Sequence, residues 1–156
     1  MRTAPAATLD HAGIEALVPH RDAMCLLDRL VAWDENRIEC VASNHRDPTP
    51  PLRTRTGLMA SAAIEYAAQA AALHGGLIAQ ASGASAAPGY LASAREVRLA
   101  AWRLDDLPEA SIDELQISAQ RKAGDSTRLL YAFSVAHGGR EIAAGRLAVV
   151  LDTHTS

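Results

Sequence analysis

A single long helical pattern stands among several strand-forming segments, and this imbalance restricts the fold more than any other feature. Residues 58–74 carry the helical pattern, and Gly75-Gly76 is predicted to end it. Strand patterns precede the helix at 24–33 and 37–43, with a turn between them. Further strand patterns follow at 89–102, 115–120, 129–135 and 143–151, with turns at 124–125 and 138–139. The order predicts one helix and about six antiparallel strands.

A lone helix of this kind has to bury its apolar surface against the concave face of a curved sheet. We therefore predict an α+β fold, with one domain over residues 1–156 and flexible residues at 1–10. Alanine supports this arrangement, because a thin helix lets a sheet wrap closely around it and alanine favours helix formation. The chain has 33 alanines among 156 residues, and the helix contains eight of them: Ala60, Ala62, Ala63, Ala67, Ala68, Ala70, Ala71 and Ala72. Compositional bias alone also produces alanine, so the placement matters more than the number.

Composition and motifs exclude several function classes. The net charge of −3 shows none of the basic excess of a nucleic-acid-binding protein, and no apolar run is long enough to span a bilayer. The N-terminal residues lack the apolar core of a signal peptide, so we expect a cytoplasmic protein with Cys25 and Cys40 reduced in the core. Neither metal-ligand spacings nor glycine-rich nucleotide motifs occur, which predicts no metal and no cofactor.

A narrow polar stripe interrupts the apolar helix. Ser61, Glu65 and Gln69 are spaced four residues apart and therefore lie on one face. A solvated face would carry several charges, whereas this face has one acid between a hydroxyl and an amide. A carboxylate among apolar residues is costly unless it is hydrogen-bonded. Glu65 is thus a candidate catalytic acid, and a structural acid at a subunit interface is the alternative.

Three segments in sequence resemble a known family. Pro-His-Arg at 19–21, Cys-Leu-Leu-Asp-Arg at 25–29 and Ile-Glu-Tyr-Ala-Ala-Gln-Ala at 64–70 are similar to the hotdog-fold β-hydroxyacyl-acyl-carrier-protein dehydratases. The stretches 44–53 and 88–93 look closer to the divergent dehydratases of bacterial aryl-polyene pigment clusters. The resemblance implies a hotdog fold, acting as a homodimer or with a related hotdog partner.

The resemblance also implies a reaction and a set of site residues. Water would leave a 3-hydroxyacyl thioester on acyl carrier protein to give a trans-2-enoyl thioester. Glu65 would protonate the departing hydroxyl, and a histidine across the dimer interface would take the proton next to the thioester carbonyl. Backbone N–H groups at Gly57 and Leu58 would polarise that carbonyl. Four side chains complete the predicted substrate-binding set: Ser61 and Gln69 beside the acid, and Arg46 and Arg53 toward the carrier protein and its phosphate.

One departure from the family bears on the base. The common dehydratases have a Gly-His-Phe-Pro segment shortly before the helix, and residues 50–53 here contain no histidine. His45, after the second predicted strand, is then the candidate base. His20 is expected to shape the fold, His74 to sit at the helix C-terminus and His137 in a hairpin turn. Two alternatives stay open, a hotdog thioesterase and a non-catalytic hotdog subunit that binds acyl chains or completes a heterodimer.

Overall fold

The computed structural model describes residues 9–17, 25–47, 52–83, 89–125 and 127–151. Most of the segment predicted to be flexible, together with His20 and the prolines at 48, 50 and 51, lies outside these ranges. The elements in chain order are helix α1 (His11–Glu15), strands β1 (Arg29–Trp33) and β2 (Arg37–Ala42), a 3₁₀ turn (Ala60–Ala62), helix α2 (Ala63–Ala81), and strands β3 (Gly89–Leu99), β4 (Leu115–Gly124), β5 (Arg128–His137) and β6 (Arg140–Leu151).

The strands form one antiparallel sheet in the order β1-β2-β4-β5-β6-β3, and α2 packs against it. Burial alternates along β5, where every second residue is buried on the side of the sheet that faces the helix. These buried positions are Leu129, Tyr131, Phe133, Val135 and His137. The predicted hotdog architecture, one long helix against a six-stranded antiparallel sheet, is confirmed. Within the described ranges, no helix has the length and apolar character needed to cross a membrane.

Three of the predicted turns have the expected chemistry. Asp34 Oδ1 accepts the backbone N–H groups of Asn36 (2.7 Å) and Arg37 (3.0 Å), which closes the β1–β2 turn. Asp125 accepts from the N–H of Thr127 at 2.8 Å in the β4–β5 turn. Gly138 and Gly139 both have positive φ, at 58° and 79°, which the tight β5–β6 turn requires.

The predicted end of the long helix was wrong. Helix α2 continues through Gly75 and Gly76 to Ala81. A side chain at Gly76 would place its Cβ 3.0 Å from the carbonyl oxygen of Leu17, so this glycine lets the chain after α1 approach the helix backbone. Leu77 is buried on the same segment. Burial against the rest of the fold therefore outweighs the low helix propensity of two glycines, about 1 kcal/mol each relative to alanine.

The two adjacent glycines give a matched pair of substitutions. Nothing lies within 4 Å of a Cβ at Gly75, so Gly75→Ala is expected to raise the free energy of unfolding by about 0.5–1 kcal/mol. Gly76→Ala meets the carbonyl oxygen of Leu17 and should be less stable than Gly75→Ala by about 1–3 kcal/mol. Urea denaturation of the two variants measures the difference. Equal stabilisation by both would contradict the close approach at Gly76.

Strand β1 also begins later than predicted, at Arg29 rather than near residue 24. Residues 25–28 belong to no strand, although the N–H of Asp28 donates to the carbonyl of Val41 on β2 at 2.9 Å, and Cys25, Leu26 and Leu27 are buried. The backbone N–H of Leu26 instead donates to a side chain of α2. Cys25 and Cys40 are both buried and are not disulfide-bonded, as predicted.

Candidate active site

The polar stripe of α2 is built around a fixed amide. Gln69 is 1% exposed, and its Oε1 accepts the backbone N–H of Leu26 at 2.8 Å. Because a backbone N–H can only donate, this bond sets the orientation of the amide. The Gln69 Nε2 group then faces Oε1 of Glu65 at 3.4 Å. Gln69, predicted to bind substrate, thus lies where it positions the carboxyl group of Glu65.

This arrangement distinguishes the two oxygens of Glu65. Oε1 accepts from Gln69, so a protonated Glu65 would carry its proton on Oε2. Glu65 is half-buried, and Ser61, one turn earlier in the 3₁₀ segment, is exposed. The predicted stripe therefore runs from an exposed hydroxyl, through a half-buried acid, to a buried amide.

A second polar cluster forms around Asp113, just before β4. His45 follows β2 and is fully buried, and its Nε2 lies 3.2 Å from Oδ1 of Asp113. His137, the last residue of β5, places its Nε2 2.7 Å from the same oxygen. The two imidazole rings make an edge contact with centroids 5.4 Å apart. Two histidines, one in the segment after β2 and one at the end of β5, thus share one carboxylate.

Arg46 completes this cluster. Its Nε donates to Oδ2 of Asp113 at 2.6 Å and its Nη2 donates to Oδ1 at 3.0 Å. This hydrogen-bonded guanidinium is the main reason that the pKa of Asp113 lies well below the usual range of an aspartate. Asp113 therefore stays ionised and can only accept hydrogen bonds. Both histidines must accordingly present Nε2–H to it.

The tautomer of His45 leaves its other nitrogen with a free electron pair. Burial lowers the pKa of His45, and the nearby Asp113 partly opposes that shift, so the ring is neutral near pH 7. Its Nδ1 is buried and has no hydrogen-bond partner among the described residues. A buried acceptor without a partner is unusual in a folded protein. His45 is thus held by Asp113 at one nitrogen and carries its basicity at the other.

Spacing alone would allow this cluster to hold a cation, since one ligand atom from each of His45, Asp113 and His137 lies within 4.8 Å of the others. The guanidinium of Arg46 already contacts both oxygens of the carboxylate. A positive group at that position disfavours a second cation by direct repulsion. The cluster is better described as a histidine–carboxylate–arginine network.

The other predicted arginine also has partners within the chain. Arg53 donates to the carbonyl of Asp47 at 2.9 Å and pairs with the carboxylate of Asp105 at 3.0 Å. Arg46 additionally donates to the carbonyl of Leu107 at 2.8 Å. These contacts fasten the segment after β2 to the segment before β4. Contact of Arg46 and Arg53 with a carrier protein stays a prediction, and it has to compete with these bonds.

Gly57 and Leu58 lie at the entry to the long helix. The N–H of Gly57 donates to the carbonyl of Thr54 at 3.1 Å, and the N–H of Leu58 bonds to the carboxylate of Asp105. Hydrogen bonding from Arg103 is the main cause that lowers the pKa of Asp105 to about 2. Both N–H groups therefore have internal partners, and their contact with a thioester carbonyl also stays a prediction.

His74 and His137 do not occupy the positions predicted for them. His137 ends a strand instead of lying in a turn. His74 is buried within α2, because the helix extends beyond it. Its Nε2 donates to the carbonyl of Asp34 (2.7 Å) and its Nδ1 accepts from the hydroxyl of Tyr131 (2.7 Å). His74 thus joins the helix to β5 and to the β1–β2 turn.

The burial of His74 predicts a loss of stability in acid. Burial lowers its pKa below the value of 6.5 expected when unfolded. Below pH 6.5 the unfolded chain therefore binds a proton that the folded chain does not, so the free energy of unfolding falls as the pH falls. In His74→Gln this pH dependence should be smaller below pH 6.5, by at most about 1.4 kcal/mol per pH unit. Urea titrations across that range measure the slope, and an unchanged slope would contradict a neutral His74.

Comparison with known proteins identifies a matching family. The family model for ApeP-like proteins, described as ApeP dehydratase, matches residues 12–155. No curated protein matches the sequence. Among solved structures, the chain is similar to the dehydratase heterocomplex ApeI:P from Xenorhabdus doucetiae, with a TM-score of 0.78 and 22% identity over 90% of this chain and 91% of that one.

More distant structures share the fold. A homologue of HP0420 from Helicobacter felis has a TM-score of 0.60 and 11% identity, over 100% of this chain and 96% of that one. A hypothetical thioesterase with coenzyme A from Streptococcus pneumoniae TIGR4 has a TM-score of 0.54 and 8% identity, over 81% of this chain and 87% of that one. The family match spans nearly the whole chain and agrees with the six-stranded sheet around one long helix. The chain therefore belongs to the ApeP-like dehydratase family.

Proposed function

We propose that the protein removes water from a 3-hydroxyacyl thioester on acyl carrier protein, with Glu65 as general acid and His45 as general base, in aryl-polyene or fatty-acid-like biosynthesis. The observation that carries the proposal is the state of His45. Its Nε2 is held by an ionised Asp113 and its Nδ1 has no hydrogen-bond partner among the described residues. A neutral imidazole oriented in this way has the chemistry of a general base.

The reaction balances with these two groups. The Nδ1 atom of His45 takes the proton from the carbon next to the thioester carbonyl, and the released electron pair forms the carbon–carbon double bond. The bond to the hydroxyl group breaks, and Glu65 delivers its proton from Oε2 to the departing oxygen, which leaves as water. Asp113 stabilises the imidazolium formed at His45. The products are the trans-2-enoyl thioester, water, an ionised Glu65 and a protonated His45, which exchange the proton with solvent.

We further propose that a second hotdog chain, either a copy or a related subunit, brings the acid and the base together. The ApeI:P structure from Xenorhabdus doucetiae, which is similar over 90% of this chain, is a heterocomplex. This similarity supports an assembly of two chains. In an assembly of two copies, Glu65 of one subunit faces His45 of the partner subunit. The edge strand β3 has exposed Leu91 and Leu99 that such an assembly would cover.

One observation favours a second candidate function, a non-catalytic subunit of such a heterodimer. His45 has no exposed surface in the chain by itself, and a thioester cannot reach Nδ1 without a rearrangement around it. A subunit that only completes the partner's site would use the network around Asp113 to hold its loops together. The resemblance to thioesterase structures extends to the fold alone and does not favour hydrolysis.

The two candidates are separated by following two products at once. The protein, in the assembly that it forms in solution, is mixed with a 3-hydroxyacyl carrier-protein thioester. Absorbance of the conjugated enoyl thioester reports dehydration, and release of the carrier thiol reports hydrolysis. We expect enoyl thioester without thiol release. Thiol release alone would support a thioesterase, and the absence of both products would support a non-catalytic subunit.

A further inference from the structure

A basic groove on the sheet remains outside the proposed active site. It is a cavity of about 310 Å³ that spans β3, β4, β5 and β6. Its floor is apolar and includes Leu130, Leu147 and Ala148. Each of the four strands contributes one cationic side chain: Arg95, Lys122, Arg128 and Arg146. The groove therefore combines an apolar base with four positive charges.

The charges in the groove are poorly neutralised within the described part of the chain. None of the described residues that line the groove is acidic, and the acid near Arg128 is Asp125 in the β4–β5 turn. Arg146 pairs with Glu96 at 3.2 Å. Both side chains of that pair are about 70% exposed, so solvent weakens it. The chain as a whole has a net charge of −3, and this concentration of positive charge is therefore local. It is suited to an anionic partner that also presents apolar groups.

Two arginines near the N-terminal end of the helix, Arg46 and Arg53, are already bound within the chain. Arg46 is bound to Asp113, and Arg53 is bound to Asp105. Arg95 and Arg128 are exposed on the groove instead. Among these four arginines, those of the groove are the ones with charge available to a partner.

We infer that this groove, defined by Arg95, Lys122, Arg128 and Arg146, is the docking surface for the acidic face of the acyl carrier protein. The inference rests on the proposed function, because that function makes a carrier protein the partner that delivers substrate. Acidic side chains of the carrier protein pair with these four cationic residues. Apolar side chains of the carrier protein contact Leu130 and Ala148. Long-range attraction at such a surface raises the association rate and makes it sensitive to salt.

A charge-reversed double variant, Arg95→Glu with Arg128→Glu, tests the surface. The matched control is Arg37→Glu with Arg140→Glu, which changes the net charge equally at exposed positions outside the groove. The probe is a fluorescently labelled bacterial holo acyl carrier protein of fatty-acid synthesis, titrated at low salt. We expect the groove variant to weaken the dissociation constant at least tenfold, and the control to change it less than twofold.

A second readout separates docking from chemistry. We expect the ratio of kcat/KM for the carrier-protein thioester to kcat/KM for the matching pantetheine thioester to fall at least tenfold in the groove variant only. Equal weakening by both double variants, or no binding to the wild-type protein, would overturn the docking surface. Groove-dependent binding to phosphatidylglycerol vesicles without binding to the carrier would also overturn it. Variant-sensitive carrier binding without any dehydration would support the groove and overturn the proposed function.

Discussion

Replacing Glu65 with glutamine is expected to lower kcat for dehydration by about 10³-fold, within the range that general acid catalysis contributes. Glutamine keeps the size of the side chain and can still accept from Gln69 Nε2, so the local structure of α2 should persist. It cannot deliver a proton to a departing hydroxyl group. KM should change little, because the loss affects the transition state. The measurement is steady-state formation of the enoyl thioester.

The control for this variant is Glu39→Gln. Glu39 is also half-buried, but it lies on β2 and pairs with Arg37. Its replacement should leave kcat within twofold of the wild-type value. If Glu65→Gln retains more than a tenth of the activity, Glu65 is not the acid, and its position in the apolar helix requires the structural explanation instead.

Replacing His45 with glutamine is the second large effect that we expect, again about 10³-fold in kcat. The matched control is His74→Gln, because both histidines are fully buried and both have a pKa lowered by burial. His74 bonds to Asp34 and Tyr131, outside the cluster around Asp113. Its replacement should reduce stability and leave kcat of the folded protein unchanged. Equal loss of activity in both variants would show that His45 acts only through folding.

The pH dependence of kcat/KM gives an independent test of the same assignment. A general base must be neutral, so activity falls as the pH drops below the pKa of the base. Burial lowers the pKa of His45, and the acidic limb should therefore lie below pH 6.5. Asp113 opposes that shift, so Asp113→Asn should move the limb to still lower pH. A purely structural role for Asp113 would lower the amount of folded protein without moving the limb.

The sequence was sufficient to predict the architecture because hydrophobic periodicity and turn residues are local signals. The turns at Asp34 and Gly138 are recognisable from short segments, and so is the alanine-rich helix. The helix end was mispredicted because the contact of Gly76 with Leu17 comes from a distant part of the chain. Helix propensity carries no information about such packing.

Only part of the candidate site could be predicted, because local sequence patterns do not report contacts between distant parts of the chain. The stripe of Glu65 and Gln69 follows from helical spacing within a few residues. Asp113 and His137 were missed because they meet His45 only through the strand register, in which Leu115 of β4 pairs with His137 of β5. Counting outward from the turn at Asp125 gives this pairing only to within one residue, because the register shifts between Arg121 and Ala123. The internal partners of Arg46 and Arg53 depend on loop paths, which no spacing rule supplies.

The most direct test of the proposed chemistry is the intact mass of the carrier protein after a single turnover. A 3-hydroxyacyl carrier-protein thioester is incubated with excess wild-type protein, with Glu65→Gln and with His45→Gln. The proposed mechanism predicts loss of one water with the thioester intact for the wild-type protein, and an unchanged mass for both variants. Loss of the whole acyl group, or water loss that persists in both variants, would contradict it.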